Sequence, residues 1–325
     1  MKITVRTFTV NKKFALKISR GTTARSTNIW LSIEAENIEG WGEASPFSID
    51  KRHTDTSLLS QLKTIIPQLE AFHPLQRQEI NDKLQQLKVG SAIRAAVDMA
   101  LYDWLGKKAN LPLWKIFGLN RDRIVPISVT IGISSPQAAV KRLKDWQNTL
   151  EVELLNLKLG SPEGIEADKA MVDAIRQEAP DTRLTVDANG GWSLSQAIAM
   201  SHWLAERKVE YIEQPLPVVQ DDRLSALSHD SPLPIFVDES CFTSVDVLRL
   251  ADSVAGVNLK IMFGCYSDSS LANTAMAHLA PWADYLDLDS HLNLKDDPFK
   301  GATIVAGRLM PDERPGLGVT NNVYS

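Results

Sequence analysis

Cysteine is nearly absent: the 325 residues carry only Cys241 and Cys265. Two thiols cannot form a disulfide framework, and so few cysteines fit a reducing compartment. No run of about 18 apolar residues exists, so no segment is expected to span a bilayer. The opening stretch MKITVRTFTVNKKFALKISRG alternates like a strand and lacks an apolar signal core. Positive charge is not in excess either. A net charge of −5 argues against nucleic acid or an anionic membrane as the main partner. Low-complexity segments are missing as well. What is there, 44% hydrophobic and 23% charged residues, reads as an ordinary globular protein with a cytoplasmic location as the expectation.

The length exceeds one small domain and suits a barrel with a smaller companion. Two alternating stretches, MKITVRTFTV and NIWLSIEAE, followed by a turn near Gly40 into WGEASPF, predict three strands. Helices are expected from Thr56 to Leu69 and from Ser91 to Lys107; the second has a broad apolar face of Ile93, Ala96, Val97, Ala100, Leu101 and Trp104. Residues 1–118 therefore read as an α+β capping domain. Pro112, Gly118 and the charged NRDR mark its end. Residues 119–302 read as a β/α barrel, beginning with VPISVTIGI and a helix from Ser135 to about Thr149. The Gly- and Pro-rich segment 303–325 is expected to return to the first domain.

The barrel expectation rests on a repeated device. Short apolar-alternating strands end at Lys158, Asp187, Glu213, Asp238 and Lys260, at intervals of 29, 26, 25 and 22 residues. That is the length of a strand, a crossover helix and two loops. Side chains alternate along a strand, so Leu155, Leu157 and Leu159 face helices while Asn156 and Lys158 face inward. The same split is expected for Asn258 with Lys260 and for Asp287 with Asp289. Parallel barrels collect the C-terminal ends of their strands at one place.

Three carboxylates brought together there, Asp187, Glu213 and Asp238, repel one another unless a cation intervenes. Oxygen donors suit a hard divalent ion, Mg²⁺ by preference, with Mn²⁺ as a substitute. A lysine becomes a base when burial and a nearby cation disfavour its charged form. Lys158 and Lys260 flank the three acids. One can take a proton from a carbon beside a carboxylate, the metal stabilises the enediolate, and the other can return the proton to the opposite face.

The motifs Asn156-Leu157-Lys158, Asp187-Ala188-Asn189, Glu213-Gln214-Pro215, Asp238-Glu239-Ser240 and the later Lys260 resemble the enolase superfamily, in its muconate-lactonizing-like branch. The resemblance covers nearly the whole chain. It implies a modified TIM barrel with an α+β capping domain, an α/β fold. Within the branch the chain is most similar to dipeptide epimerases of the L-Ala-D/L-Glu type, because GCYSDSS falls where they carry a GCM-like segment and Asp287-Leu288-Asp289 matches their D-x-D pair. That likeness implies a small dipeptide substrate whose ammonium is held by Asp287 and Asp289. The bland reading of the pair is a solvated loop end. Arg20 falls where the family's capping loop can carry an arginine for an acidic side chain; a plain surface residue is its alternative. Thr130 and Asp268 are further substrate-contact candidates. A homo-oligomer is compatible with all of this.

Two departures stand out. The first lysine of the K-x-K pattern is Asn156, which removes a positive neighbour from Lys158. Only Ile261, Met262 and Phe263 separate Lys260 from Gly264, whereas a parallel crossover needs a dozen or more residues. Either one β/α connection is missing from the barrel after Lys260, or a stretch of about 25 residues, one repeat, is absent from the sequence. Residues Ser48 to His53 look like a shortened lid. The alternatives are an o-succinylbenzoate synthase or muconate cycloisomerase-like enzyme, in which one lysine suffices, and an inactive ligand-binding paralogue.

Overall fold

The computed structural model describes residues 1–46, 53–240 and 260–322. Most of the proposed short lid, Asn258 and Cys241 lie outside the described residues. The chain divides into two compact units, residues 1–14, 24–125 and 265–325 in one, 15–23 and 126–264 in the other.

The first unit is built on a three-stranded sheet of β1 (Lys2–Ile18), β2 (Gly21–Ala35) and β3 (Ile38–Ala44), although residues 15–18 of β1 and 21–23 of β2 group with the second unit. Strand alternation sorts the two faces. Ile29, Leu31 and Ile33 point to the helices α1 (Asp55–Leu69), α2 (Arg77–Gln86) and α3 (Ser91–Ala109), where Leu62, Ile80, Ile93 and Val97 complete a core. Strand β3 lies directly on α3 because Gly40 and Gly42 have no side chains. A Cβ at Gly42 would sit 1.9 Å from the carbonyl oxygen of Ala96, and one at Gly40 would sit 2.1 Å from that of Ala100. The other face carries Trp30, paired in register with Glu43 on β3. Here Trp30 packs with Leu113 of the short α4 (Leu113–Ile116), with Leu271, and with Phe299, Leu317 and Val319 of the C-terminal stretch.

The second unit holds a parallel sheet of five strands in sequence order: β4 (Ser128–Ile131), β5 (Leu154–Lys158), β6 (Arg183–Asp187), β7 (Val209–Glu213) and β8 (Ile235–Phe236). The crossovers carry α5 (Pro136–Gln147), α6 (Ile165–Glu178), α7 (Leu194–Ala205) and α8 (Leu224–Asp230). Ser135 caps α5 through its hydroxyl, and Ser193 with Gln196 forms a reciprocal capping box on α7, so both starts follow from local sequence.

Beyond β8 the expected alternation is not what the described residues show. Lys260 is exposed and lies outside any strand, just before the two-residue β9 (Met262–Phe263). The helix α9 (Ser270–Leu279) then leads to β10 (Tyr285–Leu286). The strand expected through YLDLDSH is therefore short: Asp287 and Asp289 follow its end, and residues Ser290–Asn293 form a 3-10 turn. Among the described residues no helix is long and apolar enough to cross a membrane.

Candidate active site

Register decides the geometry of the parallel sheet. Lys158 pairs with Asp187, Asp187 with Glu213, and Glu213 with Phe236, so four strand ends lie on one level. Asp238 lies two residues past Phe236, one side-chain period farther along. Thr130 pairs with Asn156 and Asn156 with Thr185, one period below that level. Lys158, Asp187 and Glu213 are all buried, and Asp238 is half-buried.

Asp187 is densely hydrogen-bonded. Its Oδ2 accepts from Lys158 Nζ at 2.8 Å and from Asn189 Nδ2 at 2.7 Å, while Oδ1 accepts from the Asn189 amide at 2.7 Å. Burial pushes its carboxyl up, Lys158 opposes that shift, and Glu239 adds to it. Asp238 is pushed up to about 7, by burial first and then by the charges of Glu239 and Asp187, against Lys158 and Arg20. Repulsion among these acids is what a bound cation would relieve.

Three residues that the sequence reading quoted only as motif letters organise this cluster. Asn189 and Gln214 adopt left-handed backbone, with φ of 44° and 36°, two residues and one residue past their strand ends. Gln214 Oε1 accepts from the amides of Asp238 and Ser240 at 3.0 and 3.3 Å, fixing the turn that presents Asp238. Glu239 Oε1 pairs with Arg20 Nη2 at 2.7 Å and accepts from Asn189 Nδ2 at 3.2 Å. Arg20 Nη1 also donates to the Asn189 carbonyl at 2.6 Å. Arg20 is thus engaged with the acid cluster itself.

The donor set fits a hard cation in kind: oxygen only, mostly carboxylate, with the buried Asn189 Oδ1 and Glu239 Oε2 lacking hydrogen-bond donors. Among the described residues, no group of three histidine, cysteine, aspartate or glutamate side chains is gathered closely enough to enclose an ion. The Lys158 ammonium is paired with Asp187 at 2.8 Å.

Asp268, Asp287 and Asp289 belong to the other unit. Asp268 accepts from the Ser45 hydroxyl through Oδ1 and from the Tyr266 amide at 3.0 Å through Oδ2; burial pushes its carboxyl up. Asp287 and Asp289 are buried. All three act electrostatically on Cys265, whose thiol is raised chiefly by burial. Lys12, a buried lysine of β1 that sequence reasoning passed over as one residue of an alternating strand, feels Cys265, Asp289 and Asp268. Burial lowers its ammonium and those neighbours oppose it. Lys260 lies in the same unit as Lys158 and is exposed.

Comparison with known proteins places this geometry. The description "Mandelate racemase / muconate lactonizing enzyme, N-terminal domain" matches residues 2–118, and "Enolase C-terminal domain-like" matches residues 138–263. The chain is 38% identical to a hydrophobic dipeptide epimerase of Flavobacteria bacterium (strain MS024-2A), covering 98% of this chain and 97% of that one. It is 39% identical to a protein of the same name from Roseobacter litoralis, over 98% of each. A dipeptide epimerase from Enterococcus faecalis V583, solved with Mg and L-Leu-L-Tyr, superposes with a TM-score of 0.87 at 28% identity, covering 98% of this chain and 99% of that one. The Flavobacteria match runs over 344 aligned positions, while 98% of 325 residues is about 319, so about 25 of those positions have no counterpart here. The chain has a modified TIM barrel fold with an N-terminal capping domain, and it belongs to the enolase superfamily, in the branch of mandelate racemase and muconate lactonizing enzyme.

Proposed function

We propose that this protein is a magnesium-dependent dipeptide epimerase, an isomerase that inverts the carbon beside a carboxylate. The observation that carries the reading is the single level shared by Lys158, Asp187 and Glu213, with Asp238 one period on. Asp187, Glu213 and Asp238 are the residues that would hold the ion, with Asn189, Gln214 and Glu239 fixing their orientation. Bound there, magnesium supplies positive charge that makes the substrate's α-carbon more acidic. Manganese offers the same preference for oxygen donors and is expected to substitute.

Lys158 gives up its bond to Asp187 and, in its neutral form, takes the α-proton. Lys260 is assigned the second base, returning a proton to the opposite face. Asp287 and Asp289, with Asp268 beside them, hold the dipeptide's ammonium through charge-assisted hydrogen bonds. Thr130, one period below Lys158, is assigned a substrate contact. Arg20 steadies Glu239 and edges the site.

A second reading follows from the exposure of Lys260 and the three residues that separate it from Gly264. With Lys158 acting alone, the α-proton would exchange with solvent without inversion. L-Leu-L-Tyr and L-Ala-L-Glu incubated with protein and Mg²⁺ in D₂O separate the outcomes. Deuterium with the L,D-epimer supports two bases, and deuterium in the L,L-form alone supports one. No deuterium in either dipeptide, or in a wider L,L-panel, overturns both.

A further inference from the structure

Strand β3 ends beside a buried polar set that the proton transfer does not use. Glu43 is 2% exposed, and both its oxygens are filled. Oε1 accepts from Asn28 Nδ2 at 2.7 Å and from the Ser269 amide at 3.1 Å; Oε2 accepts from the Ser269 hydroxyl at 2.5 Å and the Ala272 amide at 3.2 Å. Asn28, fully buried, donates as well to the Ser267 carbonyl at 2.9 Å. Two residues past Glu43, the Ser45 hydroxyl donates to Asp268 Oδ1.

These contacts converge on residues 267–269. The Asp268 carbonyl accepts from the Ser290 hydroxyl at 2.9 Å and from Asn273 Nδ2 at 3.3 Å, and the Ser269 carbonyl from Asn273 Nδ2 at 3.1 Å. Every anchor is buried or half-buried, so the Asp268 carboxylate has little freedom.

A glutamate is a costly choice for this task. An acid taken out of water is destabilised unless donors compensate it. Burial, followed by the charge of Asp268, pushes the Glu43 carboxyl up to about 8, and hydrogen bonds from Ser269 and Asn28 oppose that. Glu43 does take the Ser269 and Ala272 amides at the start of α9, but the Ser269 hydroxyl separately accepts from the Leu271 amide at 3.1 Å, and Ser45 touches none of these groups. The apolar core does not require Glu43, since it shares its sheet face with Trp30 and faces away from Ile29 and Leu31. What Glu43 adds is a rigid tie between the first sheet and the segment that carries Asp268.

We infer that Glu43 and Ser45 are positioning residues for Asp268, holding its carboxylate at the angle that receives the dipeptide's ammonium. The inference rests on the epimerase reading above. Glu43→Gln keeps shape and one carbonyl oxygen but sets an amide NH₂ against the Ala272 amide. Ser45→Ala removes the hydroxyl on Asp268 and leaves α9 untouched. With L-Leu-L-Tyr as substrate, each change raises KM about tenfold and leaves kcat within about threefold, since ground-state binding is what is lost. The double variant rises no further than Glu43→Gln alone, because both act through one carboxylate.

A lower melting temperature with unchanged KM in both variants would reduce Glu43 and Ser45 to structural roles and overturn the inference. Effects that multiply in the double variant would overturn it too. If Glu43→Gln does not fold, an unmoved KM in Ser45→Ala is enough to reject it. A wild-type protein that exchanges no α-proton removes the epimerase reading and the inference together, whereas active wild type with unmoved variants removes the inference alone.

Discussion

The Lys158 ammonium donates to Asp187 Oδ2 at 2.8 Å, and the two residues are direct partners in the β5–β6 ladder. A candidate base and a candidate metal ligand therefore hold each other across one strand spacing. Changing one alters the charge seen by the other.

Replacing Lys158 with Ala is expected to lower α-proton exchange by about 10³-fold or more, in the range assigned to loss of a general base. Manganese binding, followed by electron paramagnetic resonance, should persist or tighten, because Asp187 loses a competing cation. Exchange at the wild-type rate would show that another group is the base.

Arg20 is paired with Glu239, whose side chain is only 3% exposed. Arg20→Met leaves that carboxylate without its charged partner, and a loss of about 1–3 kcal/mol in unfolding free energy is expected, the cost of a buried acceptor deprived of one of its donors. Because the guanidinium serves the acid cluster, kcat/KM for L-Leu-L-Tyr and L-Ala-L-Glu should fall together. A loss confined to L-Ala-L-Glu would return Arg20 to the role expected from sequence, recognition of an acidic side chain.

His278 is held neutral by burial, and its hydrogen bonds fix the tautomer. Its Nδ1 accepts from the Trp114 amide at 3.2 Å, which leaves Nε2–H to donate to the Leu317 carbonyl at 3.1 Å. Burial lowers it to about 4 from an ordinary value of 6.5. The unfolded chain thus binds a proton between those values that the folded chain does not, so stability is complete above about pH 6.5 and declines toward pH 4. The loss approaches about 1.4 kcal/mol per pH unit within that window. Urea titrations at pH 7 and pH 5 should show it, and His278→Gln should flatten the slope.

Gly42→Ala would put a methyl 1.9 Å from the Ala96 carbonyl oxygen, a contact with backbone on both sides. Strand β3 and helix α3 must separate, with an expected loss of about 1–3 kcal/mol or more. The melting temperature reads this directly. An unchanged value would mean that the strand–helix contact is softer than the packing implies.

Much of this molecule could be read from the chain itself. Lys158, Asp187 and Glu213 fell into line because parallel strands repeat at a fixed length and alternate at a fixed period; their levels needed no tertiary knowledge. The helix at Ser91 was equally plain, since its apolar face is long and unbroken. Glu43, Lys12 and Asn28 were not legible. Each sits in a strand of ordinary alternation, and its importance comes from partners more than 200 residues away in sequence, as between Glu43 and Ser269. Glu239 was visible as a motif letter, but its pairing with Arg20 was not. The D-x-D segment reads as a longer strand than it is, because two acids with alternating leucines imitate one, whereas the strand ends at Leu286 and a 3-10 turn begins at Ser290.

The left-handed turns at Asn189 and Gln214 make the barrel's variation one-sided. A helix between two strands can lengthen or shorten and its crossover will still return. A single residue inserted within β6 or β7 would rotate Asp187 or Glu213 to the outer surface and move the left-handed bend onto a residue unsuited to it. Drift among descendants of this chain should therefore accumulate in helix lengths and surfaces, while the distance from each strand's first hydrogen bond to its acid stays constant to the residue.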